Sequence, residues 1–127
     1  MQTMINKIAT DKAPSAIGPY SQAIVHNGIV YTSGQIPINP QTNTVEAVGI
    51  EAQAEQVMKN LSAVLVAAGS SCEKAIKTTC FLADMGDFQA FNEVYAKYFT
   101  EKPARSCVAV KSLPKGVLVE VEVIAEI

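Results

Sequence analysis

The sequence has no tryptophan, a single histidine (His26) and only three cysteines, and each scarcity narrows what the chain can do. One histidine, read as a solvated residue of a hairpin turn, argues against a Ser-His-Asp relay, which needs that imidazole held beside a nucleophile. Cys72, Cys80 and Cys107 are odd in number and too widely spaced for a metal-binding knuckle, and His26 does not complete one. They read as reduced thiols. Missing too are a Gly-rich phosphate loop, a His-x-x-x-His pair and an Asp-rich cluster. No apolar run approaches the roughly 18 residues that a membrane-spanning helix needs. The opening segment Met1-Gln2-Thr3-Met4-Ile5-Asn6-Lys7 has neither a basic stretch leading into an apolar one nor an Arg-rich pattern, so a cytoplasmic location is expected. Ten Lys and Arg stand against 12 Asp and Glu, a net charge of −2 with both signs scattered. No basic block offers the phosphate contacts that dominate nucleic-acid affinity, so neither nucleic acid nor membrane is expected as a partner.

What remains fits one core. A chain of 127 residues has room for one domain, taken as residues 1–127, and shows no repeat, low-complexity segment or linker. Ile5 to Ile8 reads as a short edge strand. Ala23 to Val25 and Ile29 to Thr32 flank His26-Asn27-Gly28, and Asn-Gly suits the type I′ turn of a tight hairpin. Gln35 to Val48, with Pro37, Asn39-Pro40 and Thr42-Asn43-Thr44, reads as a loop. From Glu51 to Ala68, Ala54, Val57, Leu61, Val64 and Ala68 recur at steps of three and four and predict a helix, stopped at Gly69. Ala75 to Leu82 reads as a strand. A second helix is predicted from Asp87 to Phe99, with Phe88, Phe91, Tyr95 and Tyr98 on one face and Asp84 or Asp87 to cap it. Arg105 to Val110 and Val117 to Ile127 read as strands joined by a type I turn at Leu113-Pro114-Lys115-Gly116. The order β-β-β-α-β-α-β-β predicts an α+β fold, a mixed sheet with both helices on one face.

The sheet's other face is then uncovered. In the last strand Val117, Val119, Val121 and Val123 point one way, while Leu118, Glu120, Glu122, Ile124 and Glu126 point the other. Apolar residues mixed with charge on an uncovered face mark a contact surface, and a homo-oligomer with sites at its seams is expected.

Arg105 is the most informative polar residue. Strand alternation sets Arg105, Cys107 and Ala109 on one face, where a planar guanidinium needs an anionic partner and suits a carboxylate bidentately. Two readings stay open: an ion pair with Glu120, Glu122 or a helix acid, and a clamp for a ligand carboxylate. Glu120, flanked by Val119 and Val121, is either a solvent-facing strand residue or a carboxylate that orients a water for hydrolysis. A buried strand thiol such as Cys107 is usually inert, with only Arg105 nearby to lower its pKa. The loops Gly18-Pro19-Tyr20-Ser21-Gln22 and Ser33-Gly34-Gln35 carry hydroxyls and glycine backbone that a ligand can approach.

Taken together, Pro14-x-x-x-Gly18-Pro19-Tyr20-Ser21-Gln22-Ala23, Thr32-Ser33-Gly34-Gln35-Ile36-Pro37, Pro103-Ala104-Arg105-Ser106-Cys107-Val108-Ala109-Val110 and Leu113-Pro114 resemble the RidA/YjgF family of reactive intermediate imine/enamine deaminases. The likeness runs from about Ile8 to Ile127, and the Arg105 segment is its most specific part. It implies a chorismate-mutase-like fold and a homotrimer with a barrel-like core and three ligand sites at subunit interfaces. It implies hydrolysis of 2-imino acids and their enamines (2-iminopropanoate, 2-iminobutanoate) to 2-keto acids and ammonia, without a cofactor. Pyridoxal-phosphate dehydratases would supply the substrate. By position Arg105 would clamp the carboxylate, the Cys107 main chain would meet the imine nitrogen, and Glu120 would hold the water. Ser33 and Gly34 would line the pocket, Tyr20 would close over it, and Asn92 would reach in from the neighbouring subunit. One departure is Asn43, which stands where many members have Gly; Asn tolerates the left-handed conformation, so the turn shape is expected to persist. The competing readings are a non-catalytic sensor of small 2-keto acids and an RNA-cleaving translation inhibitor.

Overall fold

The computed structural model describes residues 4–127, so Met1, Gln2 and Thr3 of the opening segment lie outside the described residues. Among the described residues six strands form one sheet: β1 (Asn6–Ile8), β2 (Ala23–His26), β3 (Ile29–Thr32), β4 (Ala75–Leu82), β5 (Ala104–Ala109) and β6 (Val119–Glu126). Two helices, α1 (Ile50–Ala67) and α2 (Phe88–Tyr98), separate β3 from β4 and β4 from β5. The predicted element order and the mixed sheet are both found, with each boundary within about two residues.

Local chemistry explains the elements. Asn27 (φ 53°) and Gly28 (φ 76°) take the two left-handed positions that a type I′ turn demands, and fix the β2–β3 register. In α1 the predicted stripe is buried at Ala54, Val57, Leu61 and Val64, joined by Met58 and Leu65. Each large apolar side chain so enclosed contributes about 1.5–3 kcal/mol. Gly69 (φ 87°) ends the helix, and the Ser70 amide donates back to the Leu65 carbonyl at 2.8 Å. Asn43 adopts φ 61°, so the turn keeps the left-handed shape expected of it. The loop beyond β3 is irregular as predicted, though Gln35 forms an isolated bridge with Val121 and Asn39 one with Thr44.

Four expectations are corrected. The turn at Leu113–Gly116 is not type I: Lys115, its third residue, has φ 58°, the left-handed geometry of a type II turn. Asp84 caps the short 3₁₀ turn before α2 by accepting from the Gly86 amide, while Asp87 makes no side-chain cap. His26 is half-buried rather than solvated, with Nδ1 unpartnered among the described residues. Most consequential is the strand order, β1-β2-β3-β6-β4-β5, which inserts β4 between β5 and β6 instead of leaving them adjoining.

β4 pairs with β5 in parallel, as a strand–helix–strand crossover requires, and antiparallel with β6. β6 is therefore central, and its inward residues Val119, Val121 and Val123 are buried under α1. Both helices cover this one face. On the other, Lys77, Thr79 and Phe81 of β4 stand beside Ile124, Glu122 and Glu120 of β6, and Val108 of β5 is exposed.

Candidate functional site

The predicted site residues fall into two groups separated by the sheet. The first lines a cleft of about 520 Å³ and comprises Tyr20, Ser33, Gly34 and Glu120, with Ile17 and Ile36 among its apolar walls. Its floor is held by backbone pairing: the Gln35 amide donates to the Val121 carbonyl (2.8 Å), and the Val121 amide returns the bond (3.1 Å). The Ser33 hydroxyl donates to the Ser21 carbonyl at 2.6 Å, tying the two loops together. Gly34 packs so closely on Glu120 that a Cβ there would lie 2.0 Å from Oε2. Tyr20 stands at the rim, half-exposed.

Glu120 is the carboxylate lining this cleft. Burial raises its carboxyl above the usual range, and the negative charge of Glu122 adds to the effect. Lys115, displayed by the left-handed turn, lines the same cleft.

The second group lies on the helix-covered face. Arg105 and Asn92 line a hollow of about 340 Å³ together with Tyr95 and Phe99. The guanidinium sits 4.8 Å from the centre of the Tyr95 ring and 5.5 Å from that of Phe88. One of its N–H groups donates to Asn92 Oδ1 at 2.7 Å. Asn92 thus meets Arg105 within one chain. The ion pairs with Glu120 or Glu122 are not formed. Thr78 is the register partner of Arg105 and is buried under the helices, whereas Glu120 pairs with Phe81 on the other face.

Cys107 stands in register with Cys80, its thiol turned toward the core. Burial raises the Cys107 pKa against the opposing pull of Arg105, and pushes Cys80 up to about 12, so both stay thiols at neutral pH. The main chain of Cys107 is another matter. The Val110 amide donates to Leu82 of β4, and alternation along the strand then turns the N–H and C=O of Arg105, Cys107 and Ala109 to the sheet's free edge.

Sequence reasoning missed the aromatic seat of Arg105. The signal was present: Phe88, Asn92 and Tyr95 follow at i, i+4 and i+7 and share one helix face. It also missed the buried amides that fix the cleft's loops. Gln22 bonds the backbone of Thr10 and Pro14, and Asn60 donates to the carbonyls of Ile36 and Ile38.

A sequence profile described as Endoribonuclease L-PSP matches residues 10–127. A protein of Lactococcus lactis named as a candidate regulator, AldR, is 54% identical over 94% of this chain and 96% of its own length. Reactive Intermediate Deaminase A of Arabidopsis thaliana, a chloroplast protein, is 45% identical over 93% of this chain and 64% of its own length. The crystal structure of E. coli TdcF with bound serine superposes with a TM-score of 0.91 at 44% identity, covering 96% of this chain and 98% of that one. The fold is therefore the chorismate-mutase-like arrangement of these proteins, and the chain belongs to the RidA/YjgF family, whose profile carries the Endoribonuclease L-PSP description.

Proposed function

We propose that this chain is a hydrolytic deaminase of 2-imino acids and their enamines, active as a homotrimer in which Arg105 and Glu120 meet across a subunit seam. The observation that carries this reading is the state of Arg105. Its guanidinium is wedged between two aromatic rings and bonded to a neutral amide, and no carboxylate of its own chain neutralises it among the described residues. Such a charge, with N–H groups to spare, suits a ligand carboxylate bidentately.

The uncovered sheet face, with Phe81, Val108 and Ile124 among its charges, supports close contact with other copies. Assembly through that face brings the Glu120 cleft of one subunit toward the free β5 edge of the next. A 2-imino acid held there has its carboxylate on Arg105 and its nitrogen at the exposed main chain of Cys107. Glu120 takes a proton from a water that adds to the imine carbon, forming the C–O bond. Glu120 returns that proton to the nitrogen, the new hydroxyl gives up its own to the nitrogen as the C=O bond forms, the C–N bond breaks, and ammonia leaves with a 2-keto acid. Holding the pieces in place supplies much of the rate, because the imine carbon is already electrophilic. No cofactor is assigned to this step, and the class of enzyme that supplies the substrate is the pyridoxal-phosphate dehydratase.

The Arabidopsis relative is named for this activity, and the serine bound to TdcF is itself an amino carboxylate. The name of AldR favours a second reading, a regulator that senses small 2-keto acids in the same pocket. RNA cleavage is the weaker reading, since the net charge is −2 and His26 lines neither hollow.

The test is a coupled assay in which a threonine dehydratase generates 2-iminobutanoate beside a semicarbazide trap. Wild type accelerates 2-ketobutyrate formation and Arg105→Ala abolishes the acceleration. Saturable 2-ketobutyrate binding without any rate enhancement transfers the assignment to the sensor.

A further inference from the structure

Arg105 belongs to a closed circuit of contacts that none of the cleft residues shares. On β5 it is the register partner of Thr78 on β4. Thr78 is fully buried, and its hydroxyl is hydrogen-bonded at 2.7 Å to the hydroxyl of Tyr95. The Tyr95 ring returns to Arg105, lying beneath the guanidinium at 4.8 Å. Tyr95 is also stacked on Phe99 at 4.7 Å and tilted against Phe91 at 5.7 Å, so the ring has little room to move.

That order matters because of where Arg105 stands. β5 is an edge strand, and one N–H bond to Asn92 leaves a long, rotamer-rich side chain free to swing about a single point. A guanidinium that must be ordered when ligand arrives binds more weakly than one ordered beforehand. The Tyr95 face removes that freedom, and the Thr78 bond fixes the height of the face above the sheet. Burial holds the Tyr95 phenol above its ordinary pKa, so it remains a neutral ring and no phenolate competes for the guanidinium.

We infer that Thr78 and Tyr95 are positioning residues for the Arg105 clamp, setting affinity for the substrate carboxylate through the guanidinium while leaving the chemical step to the opposite side of the seam. The inference rests on the proposed carboxylate site. It identifies two residues that touch neither substrate nor water yet govern KM.

The experiment measures equilibrium binding of 2-ketobutyrate by calorimetry, with KM and kcat from the coupled assay and Tm for each protein. Tyr95→Phe, which keeps the ring but loses its anchor, and Thr78→Val, which removes the anchor alone, each raise Kd and KM about five- to tenfold with kcat within about twofold of wild type. Thr78→Ser keeps the hydroxyl and restores binding. Leu61→Ala, a core variant on α1 that belongs to none of the Arg105–Thr78–Tyr95 contacts, lowers Tm without moving Kd. In an Arg105→Ala background Tyr95→Phe has no further effect on Kd. Unchanged Kd in Tyr95→Phe and Thr78→Val, with Tm alone reduced, overturns the inference and leaves the carboxylate site standing. A further loss of binding in the Arg105→Ala background overturns it as well. Wild-type affinity in Arg105→Ala itself removes the site, and the inference with it.

Discussion

Arg105 and Glu120 lie on opposite faces of one sheet, with β4 between their strands. A chain acting alone cannot bring both to one small substrate, so the reading of both as site residues commits the protein to a shared site. Complementation follows. Arg105→Ala and Glu120→Gln are each inactive, and refolding them together restores activity. Random assembly unites an intact Arg105 with an intact Glu120 at one seam in four, so about a quarter of the wild-type rate is expected. Titrating one variant into the other in the coupled assay measures it. No recovery in verified mixed oligomers places both residues in separate roles.

Gly34 makes the position of Glu120 sensitive to a single methyl. A Cβ there meets Oε2 at 2.0 Å and Cδ at 2.9 Å, and the side chain must swing away. The atoms displaced belong to the far end of a flexible side chain, so the fold survives. Gly34→Ala is expected to keep Tm within a few degrees while kcat falls on the order of a hundredfold, the effect of misplacing a reacting group by about an ångström. Equal losses in Tm and activity argue for a merely structural glycine.

The raised pKa of Glu120 sets the acid limb of the rate profile. Its carboxylate form accepts the proton from water, so kcat/KM falls as pH drops through that raised value. Glu122→Gln removes the like charge that contributes to the shift, and the limb moves to lower pH. Stability runs the other way. With the folded pKa above the unfolded one, the folded chain binds the proton more tightly, and stability rises as pH falls between the two. Glu120→Gln is therefore more stable than wild type at neutral pH, by thermal unfolding, although inactive. A profile unmoved by Glu122→Gln assigns the limb to another group.

Elements governed by local chemistry were legible in the sequence. The Asn27-Gly28 turn, the α1 stripe and the alternation of Val119, Val121 and Val123 each follow from residues close in the chain. The strand order was not, because nothing near β5 or β6 records that β4 intervenes. That missing strand turned an apparent Arg105–Glu120 neighbourhood into two half-sites. The residues themselves were legible through the resemblance, and their separation only through topology. Lys115 shows the same limit at the scale of one turn: Pro114 at the second position suits type I and type II, Gly116 at the fourth favours type I, and the left-handed Lys115 overrides that preference.

The buried amide of Gln22 gives the last prediction. Residues 10–18 contain no helix or strand, yet they carry Pro14, Ser15 and Ile17 into the cleft wall. Gln22 holds them: Oε1 accepts from the Thr10 amide at 2.6 Å, and Nε2 donates to the carbonyls of Pro14 at 2.7 Å and Thr10 at 3.0 Å. Replacing it by the similarly sized Leu leaves these partly buried backbone groups without partners, at about 1–3 kcal/mol for each one not rescued by water. Gln22→Glu keeps the acceptor but sets a carboxylate against the carbonyls, and is expected to be at least as damaging. Because the Ile17 amide of the loosened segment donates to the Tyr20 hydroxyl, KM for the imine should rise together with the loss of stability. Urea unfolding and the coupled assay measure the two. In Asn60→Leu, which frees the carbonyls of Ile36 and Ile38 on the facing wall, the same pairing of effects is expected. A Gln22→Leu protein with wild-type KM would mean that the cleft wall is held by contacts other than this amide.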